Sequence, residues 1–444
     1  MNPELLRYIW LEFSLHRLIA MPGVLILVFL LAHTASAESG AGSAKVLAGM
    51  AIGFFALIVG LWGTRLAADS VTREANEHTW DGQRLSALSP WSMTWGKLFG
   101  APVFTWYGGL FCLAVLLAAA PSDWPAGRYA LLLVAAALLL HALGLLFSLL
   151  ATRHEAVRER RMPGLLVVFL LLFGVLPLLG RVMDTAGSQQ LVYWWGGAFP
   201  RLDFLLVSAA AFAAWAVFGA CRLMCRELQV RTTPVAWVAF ALFAIAYLTG
   251  FLDTADFLAG VERAGLLGWT GLLLNLGLTY LMLFAERSDA PLVRRLLLSA
   301  EARQWRRVLE ELPCWPVSLL LAGISGLMMA LYPLEFAGGL SNIFLPPLPL
   351  LLLAVRDSSL YLFFSFGRPR RSWVEGATLL YLLVLYWILP SLLRAMGAET
   401  LAKWVLPSFW ERESIVFSSV ILFLQAALAV ALTVSRWRLE NAKK

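Results

Sequence analysis

Charge is scarce in this 444-residue chain: Asp, Glu, Lys and Arg make up 14% of it, where a soluble domain carries about 25%. With 60% hydrophobic residues, that excludes an ordinary soluble domain. Histidine is rarer still. Five His with no pair at helical spacing, no His-Glu-x-x-His and no Gly-x-Ser-x-Gly leave nothing for metal or serine catalysis to use. Cysteine is limited to Cys112, Cys221, Cys225 and Cys314, in or at the ends of apolar runs, so disulfides are not expected. Cys221 and Cys225 stand four apart on a helix but lack a His or acidic third ligand, and read as packing rather than metal binding. A phosphate loop is missing too. Gly96-Lys97 has Trp91 where the upstream Gly belongs and Leu98 where Ser or Thr belongs. No cofactor is therefore expected on this chain. Nor do the basic residues form a stripe with stacking aromatics, so nucleic acid is not an expected partner.

What the chain has is long apolar runs. Windows of about 20 residues, enough to cross a hydrocarbon layer of about 30 Å, fall near 17–35, 46–66, 99–120, 129–151, 163–180, 204–224, 234–251, 265–285, 315–333, 337–355, 374–392 and 415–435. None alternates with period two, which argues against a β-barrel. The expected fold is all-α and polytopic, with about twelve transmembrane helices. The first 16 residues carry Leu6, Ile9, Trp10 and Phe13 along one stripe; they read as a helix on the membrane surface and not as a cleavable signal.

Basic residues are unevenly shared. The segments on the side of both termini hold 26 of the 35 Lys and Arg, the opposite loops 8, and Arg356 sits apart at a span edge. By the positive-inside rule both termini face the cytoplasm.

A weak internal repeat divides the chain. Gly187, Leu191, Trp194 and Phe199 recur as Gly397, Leu401, Trp404 and Phe409 at a constant offset of 210. Trp80, Leu85, Leu88 and Pro90 are echoed loosely by Trp305, Leu309, Leu312 and Pro313. Such traces mark duplicated bundles in transporters, giving halves at 1–230 and 231–444. An even span count in the first half makes the two six-helix repeats parallel.

The segment 65–97 is a polar interruption between the second and third spans. Leu85, Leu88, Trp91 and Trp95 give it an apolar stripe, Ser89-Pro90 a helix start, and Glu74, Glu77 and Asp81 acidic groups available to a partner. With Glu77, His78, Thr79, Leu85, Pro90, Gly96 and Lys97 in order, it resembles the coupling and gate segment of type-2 ABC transporter permeases. His78 replaces the family's commoner Gly, and one extra residue separates Thr79 from Leu85. The resemblance holds for coupling segment 69–97 and degenerates in its counterpart 287–313, where no Gly-Lys closes the segment. It implies the membrane subunit of a bacterial exporter in the inner membrane, driven by a separate ABC ATPase in two copies. ATPase contacts are then Glu77, Trp80, Asp81, Arg84 and Leu85, with Trp305 and Arg306 in the second half. Gate positions are Pro90, Gly96, Lys97, Trp194 and Trp404, the last two on short re-entrant helices of the outer face. An energy-independent carrier or an assembly scaffold is the alternative.

The basic 286–313 stretch reads equally as an anchor for lipid phosphates. Inside spans, polar residues are few. His141 reads as a packing hydrogen bond or a pore group, and Arg356-Asp357 as the inner end of the tenth span. So little charge argues against an ion-coupled carrier.

Overall fold

The computed structural model describes residues 2–38, 43–152, 190–253, 262–286, 288–332, 347–367, 371–407 and 415–442. It is 84% helical, and its only sheet among the described residues is a two-stranded hairpin. Ten described helices are long and apolar enough to cross a membrane, or eleven when a bent pair counts as one. This is an all-α, multi-pass membrane protein. The chain divides into two compact units, 1–192 with 198–230, and 193–197 with 231–444.

The first unit opens with α1 (Pro3–Glu12) and α2 (Leu15–Glu38). The next helix, α3 (Ser43–Asn76), is 34 residues long, roughly 50 Å at 1.5 Å per residue, so its polar last turns extend beyond any hydrocarbon layer. It widens into a π-helix over Ala56–Gly63. There the Val59 carbonyl accepts a hydrogen bond from His141 Nε2 at 2.8 Å, and Gly63 leaves the room: a Cβ there would lie 2.6 Å from that nitrogen. His141 is thus a packing hydrogen bond between spans, wholly buried and edge-on to Trp106. A short α4 (Trp80–Arg84) leads to α5 (Pro90–Gly100) and α6 (Val103–Ala119), bent by 56° where Pro102 interrupts the hydrogen-bond ladder. Then come α7 (Ala126–Ala151) and α8 (Arg201–Glu227). Two apolar clusters hold the unit. One joins α2, α3, α6 and α7 around Phe55, Val59 and Leu116; the other joins α3, α5, α7 and α8 around Val71, Met93, Leu145 and Met224. The expected span at 163–180 lies outside the described residues.

The second unit comprises α9 (Val235–Leu252), α10 (Arg263–Ala285), the short α11 (Ala290–Glu301) and α12 (Trp305–Glu311), α13 (Cys314–Leu331), α14 (Pro347–Ser365), α15 (Trp373–Ala395), α16 (Glu399–Val405) and α17 (Ile415–Ala442). Its cores pack α10, α13 and α14 around Leu272, and α10, α14 and α15 around Tyr361.

Two sequence expectations need correction. Of the tenth span expected over 337–355, residues 337–346 lie outside the described residues, and the described helix runs on to Ser365. Arg356-Asp357 therefore falls within α14, with about two further turns after it, and not at its inner end. And the first of the two supposed re-entrant helices is a hairpin, β1 (Leu191–Trp194) paired with β2 (Gly197–Pro200). Trp195 (φ 50°) and Gly196 (φ 72°) both take positive φ, the two-residue turn that matches strand twist, and Val192, Tyr193 and Trp194 suit a pleated strand. The matching stretch 399–405 is helical. Gly397 (φ 75°) ends α15 and lets the chain restart.

Candidate functional site

The polar segment after α3 is mounted on a buried ion cluster. Asn2 caps α1, its side chain accepting from Glu4 N at 3.0 Å, while its Nδ2 donates to Ser92 O at 2.6 Å. Ser89 caps α5 and Pro90 takes the first helical position. The two caps hold α1 against α5 along Gly96 and Gly100. A Cβ on Gly96 would stand 2.5 Å from Glu4 Cβ, and one on Gly100 2.5 Å from the Tyr8 ring. These glycines exist for close approach.

Beneath that contact Lys97 is wholly buried. Its Nζ pairs with Glu74, lies 3.3 Å from Glu4 Oε1, donates to Gln83 Oε1 at 2.9 Å, and sits 5.1 Å over the Trp80 ring. Glu74 also receives Arg7 Nη2 at 2.5 Å and the Tyr8 hydroxyl at 3.1 Å, and Arg7 returns to Glu4 at 2.8 Å. Two cations and two carboxylates therefore neutralise each other, as a buried cluster must. Burial, then the Glu74 charge, pushes the Tyr8 hydroxyl far above its ordinary pKa, so it stays a donor. Burial alone would lower the Arg7 pKa, but its bonds to Glu4 and Glu74 raise it on balance.

This geometry sorts the expected contact residues. Glu74 is spent inside the cluster and Trp80 is 5% exposed in the core, so neither is offered to a partner. Of the expected membrane-facing stripe, Leu88 and Trp95 pack inward, and only Leu85 (89%) and Trp91 (49%) are exposed. The remaining contacts form a tip. Glu77 pairs outward with Arg73 at 2.9 Å, Asp81 is 82% exposed, and Arg84 donates to Glu227 O at 3.1 Å while lying 3.5 Å from Asp81. His78, where Gly was expected, has φ 59° just past α3. Thr79 N donates to Glu74 O across it, a helix stop that favours glycine.

The second unit's counterpart is built differently. Trp305 is 62% exposed and Arg306 bonds Glu310 at 3.0 Å on the surface, with Arg231 3.6 Å from Glu310 and Arg295 3.8 Å from Glu311. Its anchor is an anion rather than a cation. The buried Glu286 carboxylate accepts Cys314 N at 2.5 Å, at the positive end of α13.

Of the expected gate residues, Trp194 donates its indole N–H to Tyr247 O at 2.9 Å, and the neighbouring Trp195 donates to Ala246 O at 3.1 Å. Trp404 is half-exposed, edge-on to Phe417. Trp404 also leads to a second buried cluster, one that sequence reasoning placed wrongly. The Trp404 and Val405 carbonyls accept from Gln425 Nε2 at 2.6 and 3.2 Å. Gln425 Oε1 accepts from Arg356 Nη1 at 2.7 Å, Arg356 Nε donates to Asp357 Oδ1 at 2.9 Å, and the Tyr280 and Tyr386 hydroxyls both donate to Asp357 Oδ2 at 2.7 Å. Tyr386 sits in a π-helical turn, Val384–Ile388, where Pro390 removes the hydrogen bond its N–H would give to the Tyr386 carbonyl. An Arg-Asp pair inside an apolar run was the available signal.

Among the described residues no group of three His, Cys, Asp or Glu side chains has metal-binding geometry. No family model, curated protein or solved structure matches the chain significantly.

Proposed function

We propose that this chain is the membrane subunit of an ATP-binding cassette exporter, of the type-2 permease kind, moving an amphipathic cargo out of the cytoplasm. The observation that carries the reading is the tip Glu77–Leu85. It exposes Glu77, Asp81 and Leu85, is set between the second and third spans, and is mounted on the cluster around the wholly buried Lys97. A lever needs both parts: an outer surface for a motor to grip and a stiff root that transmits the push to α5 and α6. The chain lacks a phosphate loop, so ATP is hydrolysed on separate subunits. Two copies would dock on the tip and, in the second unit, around Trp305 and Arg306. In this reading twelve spans form two parallel six-helix halves, 1–230 and 231–444, with both termini in the cytoplasm of a bacterial cell. Pro90, Gly96 and Lys97 then form the inner gate region, and Trp194 and Trp404 the outer one.

Co-purification with an ATPase and stimulation of its hydrolysis test the reading. Glu77→Arg with Asp81→Arg is expected to abolish both while the chain still folds, because neither side chain is part of the core. Binding and stimulation that survive the double charge reversal refute the docking assignment.

One observation favours an energy-independent carrier instead. Arg356-Asp357 within α14 supplies the intramembrane charge that the sequence seemed to lack, and such residues mark ion or substrate paths. Substrate flux in proteoliposomes without ATP or an ATPase would select that reading.

A further inference from the structure

The Arg356 cluster lies outside the coupling machinery, and its wiring is unusual. Arg356 and Asp357 are 3% and 1% exposed inside a span, a costly place for two charges. They are adjacent in sequence, so the pair does not hold distant elements together. Asp357 keeps two phenol donors on Oδ2 whether or not Arg356 stays on Oδ1. Arg356, for its part, is incompletely used. Its Nη2 lies 2.9 Å from Asp357 Oδ1 but off the line a hydrogen bond needs, and it has no other partner among the described residues. Its Nη1 goes to a neutral amide, Gln425, which in turn holds the last carbonyls of α16.

A guanidinium whose Nη2 is ion-paired to Asp357 without a hydrogen bond, whose Nη1 goes to a neutral amide and whose face lies 5.0 Å from the Tyr386 ring has an outer edge that suits a bidentate anion. We infer that Arg356 binds the anionic headgroup, phosphate or carboxylate, of an amphiphile within the second unit, displacing Gln425 and so releasing α16. The anion takes Nη1 and Nη2, Nε stays with Asp357, and the freed Gln425 no longer ties its amide to Trp404 and Val405. Leu353, Ala354 and Leu360 beside the pair on α14 are apolar and buried, so a chain attached to that headgroup would lie in the unit's interior. The role of this exchange in transport rests on the permease reading above; the binding step does not.

The test uses the full chain alone in lipid nanodiscs, without any ATPase, so a failed motor assignment leaves it interpretable. Dodecyl phosphate and dodecanoate are titrated as probes, with dodecyl maltoside as the neutral control and inorganic phosphate as the headgroup without a tail. At least one anionic amphiphile is expected to bind saturably and more tightly than the neutral one. Arg356→Lys, which keeps the charge but loses the fork, weakens it tenfold or more. Arg356→Gln with Asp357→Asn abolishes it at an unchanged melting temperature. Gln425→Leu, removing the competitor for Nη1, tightens it several-fold, and this variant serves if the double one fails to fold. Amide exchange across 399–405 should rise on binding. Equal affinity of wild type and Arg356→Lys, or of anionic and neutral amphiphiles, overturns the site. Inorganic phosphate binding as tightly as dodecyl phosphate overturns the amphiphile.

Discussion

Two buried charge clusters, one in each unit, solve opposite problems. Around Lys97 the partners come from far along the chain, Glu4 lying 93 residues and Glu74 23 residues away, so the cluster forms only when α1, α3 and α5 are docked. Around Arg356 the ion pair itself is made by neighbours in one helix, and its long-range partners, Tyr280, Tyr386 and Gln425, are neutral. A long-range cluster fixes tertiary structure. A local pair adds little to it, and the desolvation it incurs inside a span has to be justified by something other than folding. Their positions agree with this division: one cluster sits at the end of a helix too long for the membrane, the other within a span.

Breaking each cluster sharpens the contrast. The largest effect is expected from Lys97→Met, which leaves Glu4 and Glu74 buried with Arg7 as their one cation. Removing a single partner of a buried pair costs about 3–5 kcal/mol, so the melting temperature in detergent should fall steeply. Adding Glu74→Gln to Lys97→Met removes the orphan carboxylate and should restore most of the loss. Asp357→Asn should also destabilise, by about 3 kcal/mol, through an uncompensated Arg356. The informative variant is Arg356→Gln with Asp357→Asn. Deleting both charges of a local pair should leave stability within about 1 kcal/mol of wild type. If the double variant melts as low as Lys97→Met, the Arg356 pair is structural and the contrast collapses.

Legibility in the sequence followed the same division. Apolar length found the ten or eleven described spans, because crossing a hydrocarbon layer is a one-dimensional requirement. The segment 65–97 was readable in part, because its cap sits at fixed local spacing: Ser89-Pro90 does start α5. What Lys97 pairs with was not readable. Glu74 looked like a group for a partner because nothing local says that α1 folds back over it. Trp80 looked like a contact for the same reason. The 210-residue repeat was found by identities, yet Leu191–Trp194 is strand and Glu399–Val405 helix. Gly196 turns the first chain back on itself, whereas Gly397 comes before the second segment and leaves it free to coil. Arg356-Asp357 was misplaced because hydropathy treats any charge as an end, whereas the described helix continues to Ser365.

Smaller effects test the contact of α1 with α5. Gly96→Ala forces a methyl into Glu4 and should cost about 1–3 kcal/mol, the usual range for overpacking. It should also make α1 accessible to trypsin at Arg7. Gly127→Ala, where a Cβ meets nothing within 4 Å, is the matched control and should leave both readouts unchanged.

The smallest expected effect is a gain. His78 holds the left-handed conformation that ends α3, which costs an L-residue roughly 1–2 kcal/mol. Glycine removes that strain but gives the unfolded chain more freedom, worth about 0.4–1 kcal/mol in the other direction. His78→Gly should therefore stabilise the protein by about 0.5–1 kcal/mol, seen as a slightly higher melting temperature. On the permease reading, because the substitution leaves Glu77 and Asp81 in place, it should also leave binding of the proposed ATPase intact. A loss of stability would mean that the imidazole itself contributes to the fold. A loss of ATPase binding at unchanged stability would make His78 part of the docking surface, and the tip would then begin at the helix stop and not beyond it.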